Sequence, residues 1–165
     1  MDKNFLLRLN KALKQIKTKL LLNKDIRTLL YYDNIDSETP VPSVEQVKGH
    51  VFLQPVINVD VQEPFNKKNY ITITMPEGER AQNAVEYVVR IIVMCDKSSW
   101  LVYDEDIRPL VIGQAVVNEL DGFQTALAQE LVFTNVVETV TSEDVVGYSL
   151  LFAVKDGISD IDEKD

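Results

Sequence analysis

The stretch AVEYVVRIIVMCD, residues 84–96, is apolar at most positions on both alternating faces of an extended chain. Val85, Tyr87, Val89, Ile91, Val93 and Cys95 fall on one face, and Val88, Ile92 and Met94 lie among the residues of the other. Such a pattern is typical of a strand covered on both sides. The sequence therefore predicts a central strand over 84–96.

Further strands are predicted on both sides of it along the chain. NYITITM, residues 69–75, alternates Ile and Met with Thr, which favours a strand with one buried face and another that meets solvent or a neighbour. Residues 51–61 are rich in β-branched side chains, but Pro55 lacks a backbone donor and indicates an edge strand or a break. Two strands near 129–138 and 145–155 are joined by the polar turn TSED, and Tyr148, Leu150, Phe152 and Val154 share one face of the second.

Three helices are predicted. Apolar residues spaced by three and four predict an amphipathic helix over 2–22, and Asn23 can cap a second helix that ends near Tyr32. Residues 33–50 are expected to form a linker. Asp104, Glu105 and Asp106 suit the start of a third helix, which should end at Asp121–Gly122. Its first turn tolerates Pro109, and its buried stripe is predicted to be Ile107, Leu110, Val111, Ala115 and Leu120.

Clustered strands with few intervening helices predict the class α+β. We expect a mostly antiparallel β-sheet with helices packed on one face, built by residues 1–155 as a single domain. Residues 156–165, DGISDIDEKD, are expected to form a flexible acidic tail. At 165 residues the chain is long enough for one hydrophobic core.

Charge is divided unevenly along the chain. Residues 1–30 carry eight basic and two acidic side chains, a net charge of +6, while the whole chain carries −9 and the remaining 135 residues carry −15. This split suggests head-to-tail contact between copies, with Lys11, Lys14 and Lys17 as candidate contact residues; a solvated helix face or one lying on an anionic membrane is the alternative. The acidic balance disfavours general nucleic-acid binding.

Catalytic and metal-binding patterns are missing from the sequence. His50 is the single histidine. Cys95 is the single cysteine and lies at the end of the predicted central strand. Both residues are expected to be structural. Carboxylates 104–106 are explained by the helix start, and the acids of the tail lack the pattern of an EF-hand loop. We therefore expect no cofactor, no metal and no enzymatic activity. The single cysteine and the charged start of the chain favour the cytosol over secretion.

The order of several segments resembles the tail terminator proteins of tailed bacteriophages. These segments are DIRTLLYY, ITITMP, YVVRIIVMCD, DIRPLVIGQAVVNELDG, LVFTNVVETV and GYSLLFAVKD, and together with the first helix they span nearly the whole chain. The resemblance implies a virion protein, assembled in the host cytoplasm, that forms a ring, usually of six subunits, at the head-proximal end of the tail. Such a ring ends tail-tube polymerisation and joins the tail to head-completion or connector proteins.

Partner contacts in such a ring are assigned to two polar segments. Glu77, Glu79 and Arg80 lie in the stretch 76–84, which is predicted to be a polar loop, and Asp160 and Asp162 lie in the acidic tail. An acidic lumen would let DNA pass without specific binding. The alternatives are another head–tail connector or tail-completion protein, a cytosolic assembly chaperone or adaptor, and a small carboxylate-dependent enzyme.

Overall fold

A six-stranded sheet forms one layer of the protein, and helices cover one of its faces. The computed structural model describes residues 5–53, 68–74, 79–81, 84–126, 129–140 and 144–156. Its helices are α1 Phe5–Leu22, α2 Lys24–Tyr31, α3 Val44–Val47 and α4 Arg108–Leu120. Its strands are β1 Val51–Leu53, β2 Asn69–Thr74, β3 Glu79–Ala81, β4 Ala84–Asp96, β5 Leu101–Val102, β6 Asp106–Ile107, β7 Gln129–Val140 and β8 Val145–Asp156. The predicted α+β class and single domain are confirmed.

Strand β4 is central, as its two-sided apolar pattern predicted. The sheet order is β1-β2-β4-β8-β7, with β3 pairing the first residues of β4. Ile91 of β4 lies between Ile73 of β2 and Leu150 of β8. All pairings in this sheet are antiparallel except that of β1 with β2, which is parallel. The expectation of a mostly antiparallel sheet is therefore confirmed.

The core lies between the helices and one face of the sheet. Its fully buried members include Ile16 of α1, Leu29 of α2, Ile112 of α4, Ile91 of β4 and Phe152 of β8. The helix layer forms because each helix offers an apolar stripe that packing against the sheet and the other helices removes from water.

One glycine allows the two longest central strands to approach closely. Gly147 of β8 faces Met94 of β4, and a Cβ atom at Gly147 would lie 1.8 Å from the carbonyl oxygen of Val93. Because no side chain fits there, glycine is required for this pairing.

Segment 33–50, predicted to be a linker, contains α3 and a 3₁₀ turn over Lys48–His50. Ser43 and Gln46 form a capping box, in which each side chain accepts a hydrogen bond from the other residue's backbone N–H. Val47 is fully buried and anchors the segment to the core. The Ser-x-x-Gln signal for this helix was present in the sequence and was missed.

The predicted start of the third helix is wrong. Helix α4 begins at Arg108, and its first turn contains no acidic residue, because Asp106 lies in β6 and residues 103–105 form a separate 3₁₀ turn. Pro109 does lie in the first turn, and the helix ends just before Asp121–Gly122, with Gly122 at φ +79°. The predicted buried stripe is also partly wrong, since Leu110 is exposed whereas Ile112 and Val116 are fully buried.

Of the two alternatives for the threonine face of β2, solvent or a neighbour, the structure excludes solvent, because Thr72 and Thr74 are both buried. The polar stretch 76–84 is not a plain loop, because Glu79–Ala81 forms β3 and pairs with β4. Residues 54–67, with Pro55, lie outside the described part of the chain.

Candidate functional site

A buried arginine at the start of α4 joins two other segments of the chain. Arg108 has 0% exposure, and its Nε donates to the backbone oxygen of Ser99 at 2.6 Å. Its Nη1 donates to the oxygens of Leu29 at 2.8 Å and Tyr32 at 2.7 Å, and its Nη2 donates to the oxygen of Asp33. The guanidinium therefore makes hydrogen bonds to four carbonyls, which offset the cost of burying its charge.

The location of Arg108 follows from the end of α2. The last carbonyls of a helix have no partner within the helix and carry partial negative charge. Arg108 supplies donors to the carbonyl of Leu29, to that of the C-cap Tyr32 and to that of Asp33 beyond it. Burial lowers the pKa of the guanidinium, while the nearby Cys95, Asp33 and Tyr103 raise it. Arginine nevertheless stays charged in proteins, so this cluster is a fixed positive centre.

Just before Arg108 in the chain, the two short strands β5 and β6 are joined by a turn with an unusual backbone. Leu101 pairs with Ile107 and Val102 with Asp106, so residues 103–105 must reverse the chain within one 3₁₀ turn. Tyr103 has φ +47° and Glu105 has φ +121°, values that favour glycine. The backbone is strained here, and such strain is concentrated at functional sites.

An open groove lies between this turn, α2 and α4, and we call it the acidic groove. It encloses about 680 Å³ and is lined by Leu110 and other α4 residues, by Asp25 of α2, and by Tyr103, Glu105 and Asp106 of the turn. A second hollow of about 520 Å³ shares Tyr103 and Glu105 with it and extends the groove to Leu101 and to the segment after α2.

The acidic groove exposes apolar side chains beside carboxylates. Leu101, Tyr103 and Leu110 are 55%, 48% and 43% exposed. Asp25, Glu105 and Asp106 are exposed, and none of these three carboxylates has a basic partner among the described residues. Apolar area rimmed by unpaired charge is typical of a protein-binding surface.

The outer face of α1 has the opposite charge. Leu7, Lys11, Lys14, Thr18 and Leu22 recur at spacings of three and four, are all exposed, and form what we call the basic ridge. Leu7 and Leu22 at its two ends are 70% and 63% exposed. The inner face of the same helix carries the buried Ala12, Ile16 and Leu20. No residue of the basic ridge lines the acidic groove.

A shallow apolar hollow of about 330 Å³ lies beside the ridge, where α1 meets Phe123. Lys19 lies 5.8 Å from the centre of the Phe123 ring and forms an ion pair with Glu119 at 3.1 Å. In contrast, Lys11, Lys14 and Lys17 have no acidic partner within the part of the chain that the structure describes. Partial burial lowers the pKa of Lys17. Because Lys11 and Lys14 have no such acidic partner in the described chain, the charge of the ridge is available to another molecule.

The far half of edge strand β7 is a third exposed surface. Its first half is covered by the chain itself, since Gly122 donates to Leu131 at 2.8 Å and Leu131 donates to Phe123 at 3.1 Å. A bulge between Phe133 and Asn135 separates this half from the rest. Residues 134–138 are all exposed, and beyond the bulge the described residues place no strand on the outer edge. Such an edge can accept a further strand.

A YomW family model matches residues 23–154, which is α2 through nearly all of β8. The chain belongs to the YomW family. This family is phage-derived and of the Bacillus-prophage type, so the chain is phage-associated. No curated protein matches it. Within this YomW-family protein the acidic groove lies inside the matched range, and the basic ridge lies before it.

The single histidine and cysteine of the YomW-family protein are both buried. His50 contacts the carbonyl oxygen of Asn69 through Nδ1 at 2.8 Å. Cys95 has 0% exposure, and burial raises the pKa of its thiol to about 12. Among the described residues, no three His, Cys, Asp or Glu side chains are grouped to hold a metal ion. No helix in the described ranges is long and apolar enough to cross a membrane.

The structure locates some of the predicted contact residues. Lys11 and Lys14 lie on the basic ridge, and Lys17 lies at its flank. The backbone of Glu79 and Arg80 belongs to β3, while Glu77, Asp160 and Asp162 lie outside the described residues. Sequence reasoning missed Arg108 and the groove. One signal was available: a basic residue just before Pro109 opposes the helix dipole, which indicates a partner elsewhere.

Proposed function

We propose that this YomW-family protein is a structural protein of the phage particle, a tail terminator that forms a ring at the head-proximal end of the tail. One observation carries the proposal: the domain has two separate surfaces of opposite charge, each with exposed apolar side chains and with charges that lack a partner in the described chain. The phage-derived family and the predicted resemblance support it.

Two different complementary surfaces on one chain favour head-to-tail association. Such a heterologous contact produces a closed ring when the rotation between neighbours divides a full turn, and an open filament when it does not. A terminator requires the closed form, and we propose six subunits. The proposal involves no bond-making step and no cofactor.

Other contacts of the ring follow from the surfaces that remain. We assign the open half of β7 to the last ring of the tail-tube protein, because an extended partner segment can add to an exposed edge. Head-completion or connector proteins would bind on the side of the ring that faces away from the tail tube. The negative net charge of the chain would let DNA pass through the lumen without specific binding. The site of action is the neck of the virion, after assembly in the host cytoplasm.

The first test is the mass of the purified protein by native mass spectrometry at low and physiological salt, with a monomer of 18.8 kDa. We expect a closed species near six copies, together with a weaker association as salt rises. Reversing Lys11, Lys14 and Lys17 to Glu together should raise the apparent Kd of self-association by about tenfold or more, because facing charges of like sign repel.

A matched control carries the same charge change elsewhere. Lys24, Lys48 and Lys97 are exposed and lie outside the basic ridge, and the ion pair of Lys48 with Glu45 is exposed and contributes little to stability. Their joint reversal to Glu should therefore leave the oligomer intact. Thermal unfolding should be similar for both triple variants. A monomer at both salts contradicts the proposed ring. Equal loss of the oligomer in both triple variants contradicts the assignment of Lys11, Lys14 and Lys17 to the contact between subunits.

The open half of β7 also favours a second candidate, an assembly chaperone or adaptor that binds a client strand along this edge. That protein would stay monomeric or dimeric when pure. A neighbouring connector or tail-completion role would give a ring as well, and electron microscopy of particles with a labelled subunit would separate it by position.

A further inference from the structure

We infer that the acidic groove of one copy binds the basic ridge of the next copy, so that α1 of each subunit contacts its neighbour around the ring. This inference rests on the proposed function, because it names the two surfaces that make the ring contact. It commits to a second copy of this chain as the occupant of the groove.

The apolar parts of the two surfaces match in kind. The ridge offers Leu7 and Leu22, which are 70% and 63% exposed, on one face of a helix. The groove offers Tyr103 and Leu110 around its hollow of about 680 Å³, and Leu101 in the adjoining hollow of about 520 Å³. A helix that lays exposed leucines into an apolar groove is a common mode of protein recognition. Each surface thus supplies what the other needs in order to exclude water.

The charges of the two surfaces are opposite in sign, and on both surfaces they lack a partner among the described residues. Lys11 and Lys14 lie between the two leucines of the ridge, and neither has an acidic partner among the described residues. On the groove side, Glu105 and Asp106 lie beside Leu110 and likewise have no basic partner there. When the ridge enters the groove, lysines and carboxylates can pair at the rim while the leucines contact the apolar floor.

The contact must be made between copies. The basic ridge is the outward face of a helix whose inner face is held in the core by Ala12, Ile16 and Leu20, and none of its residues lines the groove. The floor of the groove is held as well, since Arg108 fixes the end of α2 to the segment beneath the 103–105 turn. Two rigid and separate surfaces on one domain cannot satisfy one another, but two neighbours can.

Charge exchange gives a test that misfolding cannot imitate. In the ridge variant, Lys11 and Lys14 become Glu, and in the groove variant, Glu105 and Asp106 become Lys. Each alone should raise the apparent Kd of self-association by about tenfold or more, because both facing surfaces then carry the same sign. The chain with all four changes should return to within about threefold of the original protein.

Mixing the two variants provides a second readout. The ridge variant has two acidic surfaces and the groove variant has two basic ones, so each should be monomeric alone and the equimolar mixture should form rings with alternating subunits. Native mass spectrometry would show equal numbers of the two masses in one species. Assembly on mixing also demonstrates that both variants are folded. If neither the chain with all four substitutions nor the mixture assembles, the inference is overturned.

Cross-linking tests the contact directly. A chain with Leu22→Cys and Leu110→Cys, treated with a short bis-maleimide, should give a ladder of covalent oligomers, because each copy then has a link on both surfaces. Each single variant is the matched control and should give no ladder. Cys95 is buried and its thiol pKa is raised to about 12, so it stays unreactive in the folded protein.

The two levels of the proposal fail in different ways. A ring of the unmodified protein that ignores the charge changes and gives no ladder would overturn the ridge-in-groove contact and leave the ring standing. A monomer at every concentration and salt would overturn the ring first and the contact with it.

Discussion

In the segment 99–108 a charged side chain faces the interior and apolar side chains face solvent, which is the reverse of the usual arrangement in a protein. On the inner side, the charged Arg108 is fully buried and bonded to four carbonyls. On the outer side, Leu101 and Tyr103 are exposed, and the backbone of Tyr103 and Glu105 is strained. On the inner side each nitrogen of the guanidinium donates a hydrogen bond, whereas the outer side has exposed apolar area and unpaired carboxylates. The comparison teaches that stability and binding are assigned to opposite sides of one short segment.

This separation has a physical reason. A strained turn persists only when the surrounding structure holds it, and Arg108 does so by joining Ser99 to the end of α2. Without that anchor we expect the turn to relax, because the hydrogen bonds that join Ser99 to α2 through this side chain would be lost. The buried charge therefore supports the shape of the acidic groove without contacting any partner.

The largest expected effect comes from removing the inner side. Arg108→Leu keeps comparable apolar bulk but leaves four carbonyls without this donor, so we expect a loss of about 3 kcal/mol or more in the free energy of unfolding. Urea unfolding at a protein concentration below that of self-association would measure it. Arg108→Lys keeps the charge with fewer fixed donors, and its loss should be smaller. Equal stability of Arg108→Leu and the unmodified protein would contradict the clamp.

Local patterns were enough to predict most of the fold. The two-sided apolar run 84–96 gave the central strand, and the spacing of apolar residues in 5–22 gave α1 with its lysines outward. Asn23 was correctly identified as the cap of α2, since its side chain accepts from the backbone N–H of Ile26 at 2.9 Å. These features depend on neighbours within a few residues, so a sequence carries them directly.

Features that join distant segments could not be predicted in the same way. The carbonyl partners of Arg108 at Leu29 and Tyr32 lie 79 and 76 residues away along the chain. The acidic groove combines α2, the 103–105 turn and α4 for the same reason. Acids 104–106 were assigned to a helix start because the sequence does not reveal that Arg108 begins the helix and is drawn inward to the end of α2.

A smaller effect should come from relieving strain on the outer side. Glu105 has φ +121°, so Glu105→Gly should raise the free energy of unfolding by about 1 kcal/mol, since glycine adopts this backbone without steric cost. The same change removes a groove carboxylate and should weaken self-association. Asp106→Gly is the control, because Asp106 has φ −65° and glycine there should only destabilise. A Glu105→Gly variant that loses stability as Asp106→Gly does would show that the strain is absent.

The smallest effect on stability is expected where the outer side is most exposed. Leu101 is 55% exposed, so Leu101→Ser should change the free energy of unfolding by no more than about 0.5 kcal/mol. Its removal from the lining of the extended groove should nevertheless weaken self-association several-fold, measured by sedimentation. Val41 is 47% exposed and lines neither hollow of the groove, so Val41→Ser should change neither quantity. If Leu101→Ser lowered stability and left association unchanged, this leucine would belong to the stabilising side of the segment, and the division between its inner and outer sides would fail.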